Sequence, residues 1–342
     1  MQNRWSQSLF FILCSLFFSI FFLSCVDTQE RENTPMGNFE ALWEIIDEHY
    51  CFFDYKQHEY GLDWNEVYNK YKVRVSDKMS DTQLFEVLKD MLSELRDGHV
   101  NLYTSYDLGR YWTWYEAYPQ NFSDTLARRY MGTNYKISGG MRYRILDDNI
   151  GYIRYESFQQ PVGESGLDDA LSYMALCHGL IIDIRNNGGG NLTTAEMLAG
   201  RFVHEKTLVS YQQHKTDKGH NDFSPLEARY LESSSNLRWH KPVCVLTNRS
   251  VYSAANDFAV IMHALPNVKL VGDRTGGGSG LPMSSSLPNG WSVRFSACPM
   301  YDRNKQHTEF GIDPDINVAL MDEATAQGID LIIEKARKLL TN

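Results

Sequence analysis

The segment Lys241–Leu265, KPVCVLTNRSVYSAANDFAVIMHAL, contains a change of hydrophobic period that predicts a strand followed directly by a helix. Residues 242–246 form a short apolar run typical of a buried strand, and after a polar turn the apolar residues recur at helical spacing. The apolar face of this helix comprises Ala254, Phe258, Ile261, Met262 and Leu265. Ser253 lies where the strand pattern gives way to the helix pattern.

This position gives Ser253 two interpretations. Serine is a favoured residue at the start of a helix, where its hydroxyl accepts a hydrogen bond from the first turn. The same position also exposes the hydroxyl to the positive field of the helix N-terminus, and it leaves the backbone N–H of Ala254 free to bind an oxyanion. Ser253 is therefore a candidate nucleophile for acyl transfer, with a plain helix cap as the simpler interpretation.

Composition excludes several classes of protein. The chain has 342 residues, of which 43% are hydrophobic and 13% aromatic, so it is long and apolar enough for a large core and two domains. A net charge of −10 without a local cluster of basic residues argues against nucleic acid as a partner. The six cysteines match no metal-binding spacing, and neither a metal nor a cofactor is expected.

The first 24 residues are typical of a signal peptide. Arg4 supplies a positive start, and the apolar stretch Leu9–Leu23 is too short to span a bilayer comfortably. The next residue is Cys25, and the four residues ending there resemble a bacterial lipobox, although Phe22 stands where leucine is usual. We expect a signal peptide of the lipoprotein type, with ordinary signal cleavage as the alternative.

These features predict an exported lipoprotein that is attached to a membrane only through an acylated Cys25 and faces the periplasm or the cell surface. Residues 25–37 are polar, contain Pro35 and suit a tether between the anchor and a folded domain.

An N-terminal helical domain is predicted for residues 38–100. Three amphipathic helical patterns begin at cap-like residues, which are Asn38, Asp63 and Ser80. The third pattern stops at Gly98, a residue suited to a helix C-terminus, and His99 follows immediately. A histidine just beyond a helix end is held firmly yet accessible, so His99 is a candidate catalytic base, although a lone histidine is more often structural.

The rest of the chain divides into three parts. Residues 101–148 are aromatic and irregular, and they suit either a substrate groove or a connector packed between domains. From 149 to 320 strand and helix patterns alternate, which predicts an α/β core. Residues 321–342 form a final amphipathic helix.

A glycine-rich turn lies within the α/β core. Gly188, Gly189 and Gly190 follow a buried strand and precede a helix, so their backbone N–H groups are free to approach a ligand closely. The spacing matches neither a dinucleotide fingerprint nor a phosphate-binding loop, and the turn therefore suits an oxyanion better than a nucleotide.

Four segments resemble, in order, the motifs of the C-terminal processing, or tail-specific, serine peptidase family, which includes the tricorn protease core. They are Leu95–Val100, Asp183–Gly190, Ser253–Ala255 and Gly311–Asp315. The resemblance implies an α/β fold with a crotonase/Clp-protease-like ββα core and an N-terminal helical bundle domain.

One departure from the family pattern selects a branch, and a second concerns the residues that orient the histidine. Gly278 stands where the tail-specific branch carries its lysine base, so the resemblance favours the tricorn-like branch, which pairs serine with histidine. In that branch a second serine precedes the histidine, and here that position is Gly98. The segment 101–148 is also too short for the PDZ domain that many members carry.

The resemblance implies an exported serine endopeptidase that acts on a peptide or protein substrate. Ser253 would be the nucleophile and His99 the base. The N–H groups of Ala254 and of Gly188 or Gly189 would form the oxyanion hole. Glu309 would orient or stabilise the histidine, with Asp97 or a water as alternatives. A non-catalytic peptide- or ligand-binding protein that retains the peptidase fold is the rival prediction.

Overall fold

The computed structural model describes residues 31–341. The signal peptide and Cys25 lie outside the described residues. Within the described range, no helix combines the length and the apolar character needed to cross a membrane.

The described chain forms helices at both ends and within an α/β region. The helices are α1 (Pro35–His49), α2 (Phe53–Tyr60), α3 (Trp64–Lys72), α4 (Asp81–Ser93), α5 (Thr113–Glu116), α6 (Asp124–Met131), α7 (Glu164–Tyr173), α8 (Leu192–Ala199), α9 (Ala254–His263), α10 (Asp322–Ala326) and α11 (Leu331–Thr341).

The strands form two sheets. They are β1 (Asn101–Tyr103), β2 (Leu108–Arg110), β3 (Lys136–Ser138), β4 (Met141–Ile145), β5 (Gly151–Tyr155), β6 (Leu180–Asp183), β7 (Thr207–Gln212), β8 (Glu227–Leu231), β9 (Val243–Thr247), β10 (Val268–Gly272), β11 (Gly280–Ser286), β12 (Ser292–Asp302) and β13 (Ile316–Asn317).

The larger sheet has the strand order β13-β10-β9-β6-β5-β4-β3. Its strands from β13 to β5 are parallel, while β4 and β3 are antiparallel additions. Central strand β9 is buried along its whole length, as its continuous apolar run predicts. Because side chains alternate across a strand, Val243 and Val245 pack in the core beside α7, α8 and α9, while Cys244 and Leu246 pack against α11 on the other face.

The smaller sheet has the order β2-β1-β12-β7-β8, and β11 also pairs with β12. The helices α1 to α4 pack on it, and Val293, Phe295 and Ala297 of β12 share their hydrophobic core. This sheet therefore joins the helical domain to the α/β core. The predicted α/β class with an N-terminal helical region is confirmed.

Several predicted boundaries differ from the structure. The third predicted helix ends at Ser93 rather than at Gly98, and the left-handed residue after it is Arg96, with a φ of 48°.

The start of the helical domain also differs from the prediction. The first helix begins at Pro35, because the Thr34 side chain accepts a hydrogen bond from the backbone N–H of Gly37 and proline suits the first helical position. The expected cap, Asn38, is instead buried inside the helix. The predicted tether therefore ends before Pro35.

The segment 101–148 is more ordered than an irregular connector. It contains four strands, and β3 and β4 at 136–145 belong to the larger sheet, which therefore begins ahead of residue 149. The C-terminal helix is split into α10 and α11, because Gly328 adopts a left-handed φ of 80° that ends the first piece.

Candidate active site

The topology brings two loops together at one edge of the larger sheet. Strands β6 and β9 are parallel neighbours, so the loops that follow them emerge side by side. The backbone N–H of Tyr252 donates to the carbonyl of Asn187 at 3.1 Å, and the N–H of Ser253 donates to the carbonyl of Gly277 at 2.8 Å. The Ser253 turn is thus fixed between the glycine-rich turn and the loop after β10.

Ser253 occupies the N-cap position of α9 without acting as a cap. Its side chain accepts no hydrogen bond from the N–H groups of that helix. Its backbone has φ 56° and ψ −125°, a conformation that residues other than glycine rarely adopt and that costs of order 1–3 kcal/mol. The strained turn directs the hydroxyl away from the helix, and Oγ lies 3.0 Å from Nε2 of His99.

His99 is held by the residue two positions before it. Oδ1 of Asp97 accepts the backbone N–H of His99 at 2.7 Å. The other carboxylate oxygen, Oδ2, accepts the hydroxyls of Tyr50 at 2.9 Å and Ser296 at 2.8 Å, and all of these groups are buried. Asp97 therefore fixes the backbone of His99 to the helical domain and to β12.

The imidazole of His99 is suited to accept a proton. Burial lowers its pKa to about 4, with Asp97 opposing the shift and Arg294 adding to it, so the ring is neutral at pH 7. Nδ1 is buried and makes no hydrogen bond of good geometry with residues 31–341, although the backbone of Gly280 lies near enough to the ring to raise its pKa. A tautomer with the proton on Nδ1 leaves Nε2 free to accept one from the Ser253 hydroxyl.

Two backbone N–H groups beside the serine are free. Within the described chain, the N–H groups of Ala254 and Gly188 donate no hydrogen bond. The N–H of Gly189 already donates to Oδ1 of Asn187 at 2.9 Å. Gly189 instead brings the two turns into contact, since a Cβ placed on it would lie 2.9 Å from the Ser253 Cβ and 2.6 Å from the Tyr252 carbonyl oxygen.

Glu309 lies near the pair but does not hydrogen-bond the imidazole. Its Oε1 lies 3.2 Å from Nζ of Lys56, and its Oε2 accepts the backbone N–H of Ser279 at 3.1 Å. Lys56 is fully buried, and it also donates to the carbonyl of Leu95 at 2.6 Å. Glu309 thus contacts the helical domain through Lys56, at the segment that leads to His99.

Lys56 is shared by two carboxylates, because Oδ2 of Asp97 lies 3.7 Å from the same Nζ atom. Burial, reinforced by the charge of Asp97, raises the pKa of Glu309 to about 8 in spite of Lys56. Burial alone would raise the pKa of Asp97 too, but Lys56 and the hydrogen bonds that Asp97 accepts hold it below its ordinary value. Asp97 is therefore the carboxylate that stays ionised in this buried group.

Aromatic side chains form one wall of the site. The Tyr252 ring lies 5.0 Å from the His99 ring and stacks on Trp114 at 4.1 Å between ring centroids. Tyr252 and Trp114 border a cleft of about 440 Å³ that also reaches Gly188. A Cβ on Gly98 would lie 2.5 Å from Nε1 of Trp114, so the stack occupies the space that a serine side chain at this position would need.

The residues of the motif at 183–190 hold the glycine-rich turn. Arg185 is fully buried and pairs with Asp183 at 2.7 Å and with Asp330 at 3.0 Å. Asn187 donates to the carbonyl of Tyr155 at 3.0 Å while accepting the N–H of Gly189. The turn is thus tied both to its own sheet and to the C-terminal segment.

The structure therefore brings Ser253, His99, Ala254 and Gly188 together, while Glu309 contacts the site indirectly, through Lys56 and through the backbone N–H of Ser279. Sequence reasoning missed Lys56 altogether. Nothing in the helix FDYKQHEY distinguishes its lysine from a solvent-exposed one.

Two parts of the chain match known protein families. Residues 149–318 match the family described as Peptidase family S41, and residues 31–93 match the Tricorn protease C1 domain. The crystal structure of a candidate peptidase from Parabacteroides merdae is 53% identical, with a TM-score of 0.87, and the match covers 91% of this chain and 98% of that one.

Two more distant relatives were found. The carboxy-terminal processing protease CtpA of Bacillus subtilis is 26% identical over 188 residues, which are 54% of this chain and 38% of that protein. The chain thus spans well under half the length of this curated relative. Mature CPAF in complex with lactacystin shares the fold, with a TM-score of 0.67 at 12% identity over 90% of this chain and 97% of that one. The motif-based prediction is confirmed: the chain belongs to peptidase family S41.

Proposed function

We propose that this protein is an exported serine endopeptidase with a Ser253/His99 pair. The observation that carries the proposal is the 3.0 Å contact between Ser253 Oγ and His99 Nε2, made by a serine whose strained backbone keeps its hydroxyl out of the helix cap. A strained residue aimed at a neutral, buried imidazole is typical of an activated nucleophile.

The reaction would run in two stages. Ser253 Oγ attacks the carbonyl carbon of the peptide bond while His99 Nε2 takes the hydroxyl proton. His99 then gives that proton to the leaving amine, and an acyl-enzyme ester remains on Ser253. A water attacks the ester, with His99 again taking and returning a proton, and this step releases the new carboxylate and restores the serine.

The developing negative charge on the substrate oxygen needs donors. The N–H groups of Ala254 and Gly188 are unoccupied and flank the serine, so they are the pair that we assign to the oxyanion hole. Gly189 supports this pair by close packing, because its own N–H is taken by Asn187.

Glu309 acts as a positioning residue in this scheme. Through Lys56 it stabilises the backbone at Leu95, and Asp97 binds the His99 backbone directly. Neither carboxylate takes a proton from the imidazole. The buried lysine and the two carboxylates instead hold His99 in position to contact Ser253.

Labelling with a phosphonofluoridate tests this proposal. The purified mature chain should gain one adduct by intact mass, and peptide mapping should locate that adduct on Ser253. Ser253→Ala should lose both the adduct and peptide cleavage, whereas Ser250→Ala, three residues earlier in the same turn, should keep both. An unlabelled wild-type protein that still binds peptides would support the non-catalytic alternative instead.

We also propose that the protein is a lipoprotein anchored through Cys25. The support is the short apolar stretch that ends at this cysteine, together with the polar residues between it and α1. The wild-type chain should fractionate with membranes and carry lipid on its mature N-terminus by mass spectrometry. Cys25→Ser should abolish the lipid. A wild-type chain without lipid would indicate an ordinary secretory signal.

A further inference from the structure

A small cavity of about 110 Å³ lies beside the serine and shares no lining residue with the aromatic cleft. Its walls come from the start of α9, the loop ahead of β11 and strand β12. They include Ser253, Ala254, Gly280, Arg294 and Thr308. A substrate side chain next to the peptide bond attacked by Ser253 is within reach of this cavity.

Arg294 has an unusual position in this wall. Its neighbours on β12, Val293 and Phe295, point into the core of the helical domain, so the alternation of a strand turns Arg294 to the opposite face, toward the site. The side chain is partly buried. No residue between 31 and 341 forms a hydrogen bond or an ion pair with its guanidinium.

The other charges near the cavity are already balanced. Asp257 also borders it, but both of its carboxylate oxygens accept from Arg229, at 2.8 and 3.1 Å. Arg229 in turn binds Glu196 at 2.7 Å. The unbalanced charge on the cavity wall, among the described residues, is therefore the positive one of Arg294.

We propose that this cavity is a substrate subsite for a carboxylate, which Arg294 binds. The inference rests on the proposed peptidase function and adds a substrate preference to it. A guanidinium presents parallel N–H donors that match a carboxylate, and burial strengthens such a pair. The carboxylate belongs either to an aspartate or glutamate side chain beside the cleaved bond or to a free C-terminus close to that bond.

The position of Arg294 gives a second consequence. Its charge contributes to the low pKa of His99, after burial and against Asp97. A substrate carboxylate bound to Arg294 would cancel that contribution. The acid limb of kcat, which reports ionisation in the enzyme–substrate complex, should therefore lie at higher pH for an acidic peptide than for its neutral counterpart.

Matched peptides test the proposal. The peptides differ only in the residue beside the cleaved bond, which is Glu, Gln or Lys. Each is made in two forms, one with an amidated and one with a free C-terminus. We expect kcat/KM to favour Glu over Gln by about tenfold or more. A preference that survives amidation identifies a side-chain carboxylate, and one that depends on the free terminus identifies the terminal carboxylate.

Variants assign the preference to the arginine. Arg294→Gln should remove the preference for the Glu peptide, and Arg294→Glu should shift the preference to the Lys peptide. Arg128→Gln makes the same change of net charge at an exposed residue outside the cavity and should leave the preference intact. Equal cleavage of Glu and Gln peptides by the wild type would overturn the proposal.

A binding measurement separates this inference from the proposed function. In the Ser253→Ala background, fluorescence anisotropy should show tighter binding of the carboxylate peptide, and Arg294→Gln should abolish the difference. This difference in binding would support the subsite even if the wild type cleaved no peptide and gained no label on Ser253. Those two negative results would defeat the peptidase proposal alone. Equal affinities for acidic and neutral peptides would defeat the subsite.

Discussion

The Nζ atom of Lys56 lies 3.2 Å from Oε1 of Glu309, and both side chains are buried although 253 positions separate them in the chain. One residue belongs to the helical domain and the other to the segment that closes the α/β core. The pair is therefore a buried hydrogen bond between the two parts of the molecule, made by a charged lysine.

Loss of the lysine should destabilise the fold strongly. Lys56→Met leaves the ionised Asp97 buried without its cation and Glu309 without its donor, and we expect the free energy of unfolding to fall by about 3–5 kcal/mol in urea titrations. Lys70→Met is the control, because Lys70 pairs with Glu94 at 2.6 Å but is 61% exposed, and it should cost at most about 1 kcal/mol. Similar costs for the two variants would contradict this account of the buried group.

Glycine at position 253 should separate stability from activity. Because Ser253 has a φ of 56°, Ser253→Gly removes backbone strain, and the inactive variant should be more stable than the wild type by about 1 kcal/mol. Ser253→Ala removes the same hydroxyl but keeps the strain, so it should show no such gain. Thermal unfolding of both variants beside the wild type measures the difference.

Restoring the serine that the tricorn-like pattern places before the histidine should impair the site. A Cβ at Gly98 would lie 2.5 Å from Trp114 Nε1 and 2.7 Å from the Tyr252 hydroxyl, so Gly98→Ser displaces the aromatic stack and lowers kcat/KM. Trp114→Ala in the same chain should recover part of that loss by making room. Gly163→Ser is the control, since a Cβ there meets nothing within 4 Å.

The pH dependence of cleavage should reflect a buried histidine. Catalysis needs the neutral imidazole, and burial lowers the His99 pKa from 6.5 to about 4. For a neutral peptide, kcat/KM should therefore stay level from pH 8 to about 6 and fall only as the pH approaches 4. A half-maximal value at pH 6.5 or above would contradict it.

Circular dichroism at each pH must accompany that profile. The unfolded chain binds a proton at this histidine near pH 6.5, whereas the folded chain does so only near pH 4, so folding stability itself declines between those values. Only data from pH values at which the protein remains folded report on the catalytic group.

Local sequence patterns were enough to predict most of the candidate site. The change of period at Ser253 and the glycines after a buried strand each depend on residues close together in the chain, and the structure places them as expected at one edge of the larger sheet. The helix end predicted at Gly98 was wrong, because the helix ends at Ser93, but His99 still lies beside Ser253. The order of the four motifs then predicted the family, which the comparisons confirm.

What the sequence did not reveal depends on contacts between distant segments. Lys56 looks like any lysine on a short helix until the fold places Glu309 against it. In the sequence Arg294 alternates with core residues, as a solvent-exposed residue of a strand would. Only the fold shows that its guanidinium lies beside Ser253 without a partner among the described residues. The start of α1 was misplaced for a different reason, because Pro35 suits a tether as well as the first turn of a helix.

The division of the site between two folding units has one more consequence. His99 is held by the helical domain and Ser253 by the α/β core, and the hydroxyls that fix Asp97 come from both parts, Tyr50 from the first and Ser296 from the strand between them. A newly made chain whose two halves have not yet docked therefore has a serine without a base. Under the proposed function such a chain cannot cleave itself or its neighbours, because the catalytic pair forms only when the fold is complete. Activation would then require folding and no removal of an inhibitory propeptide.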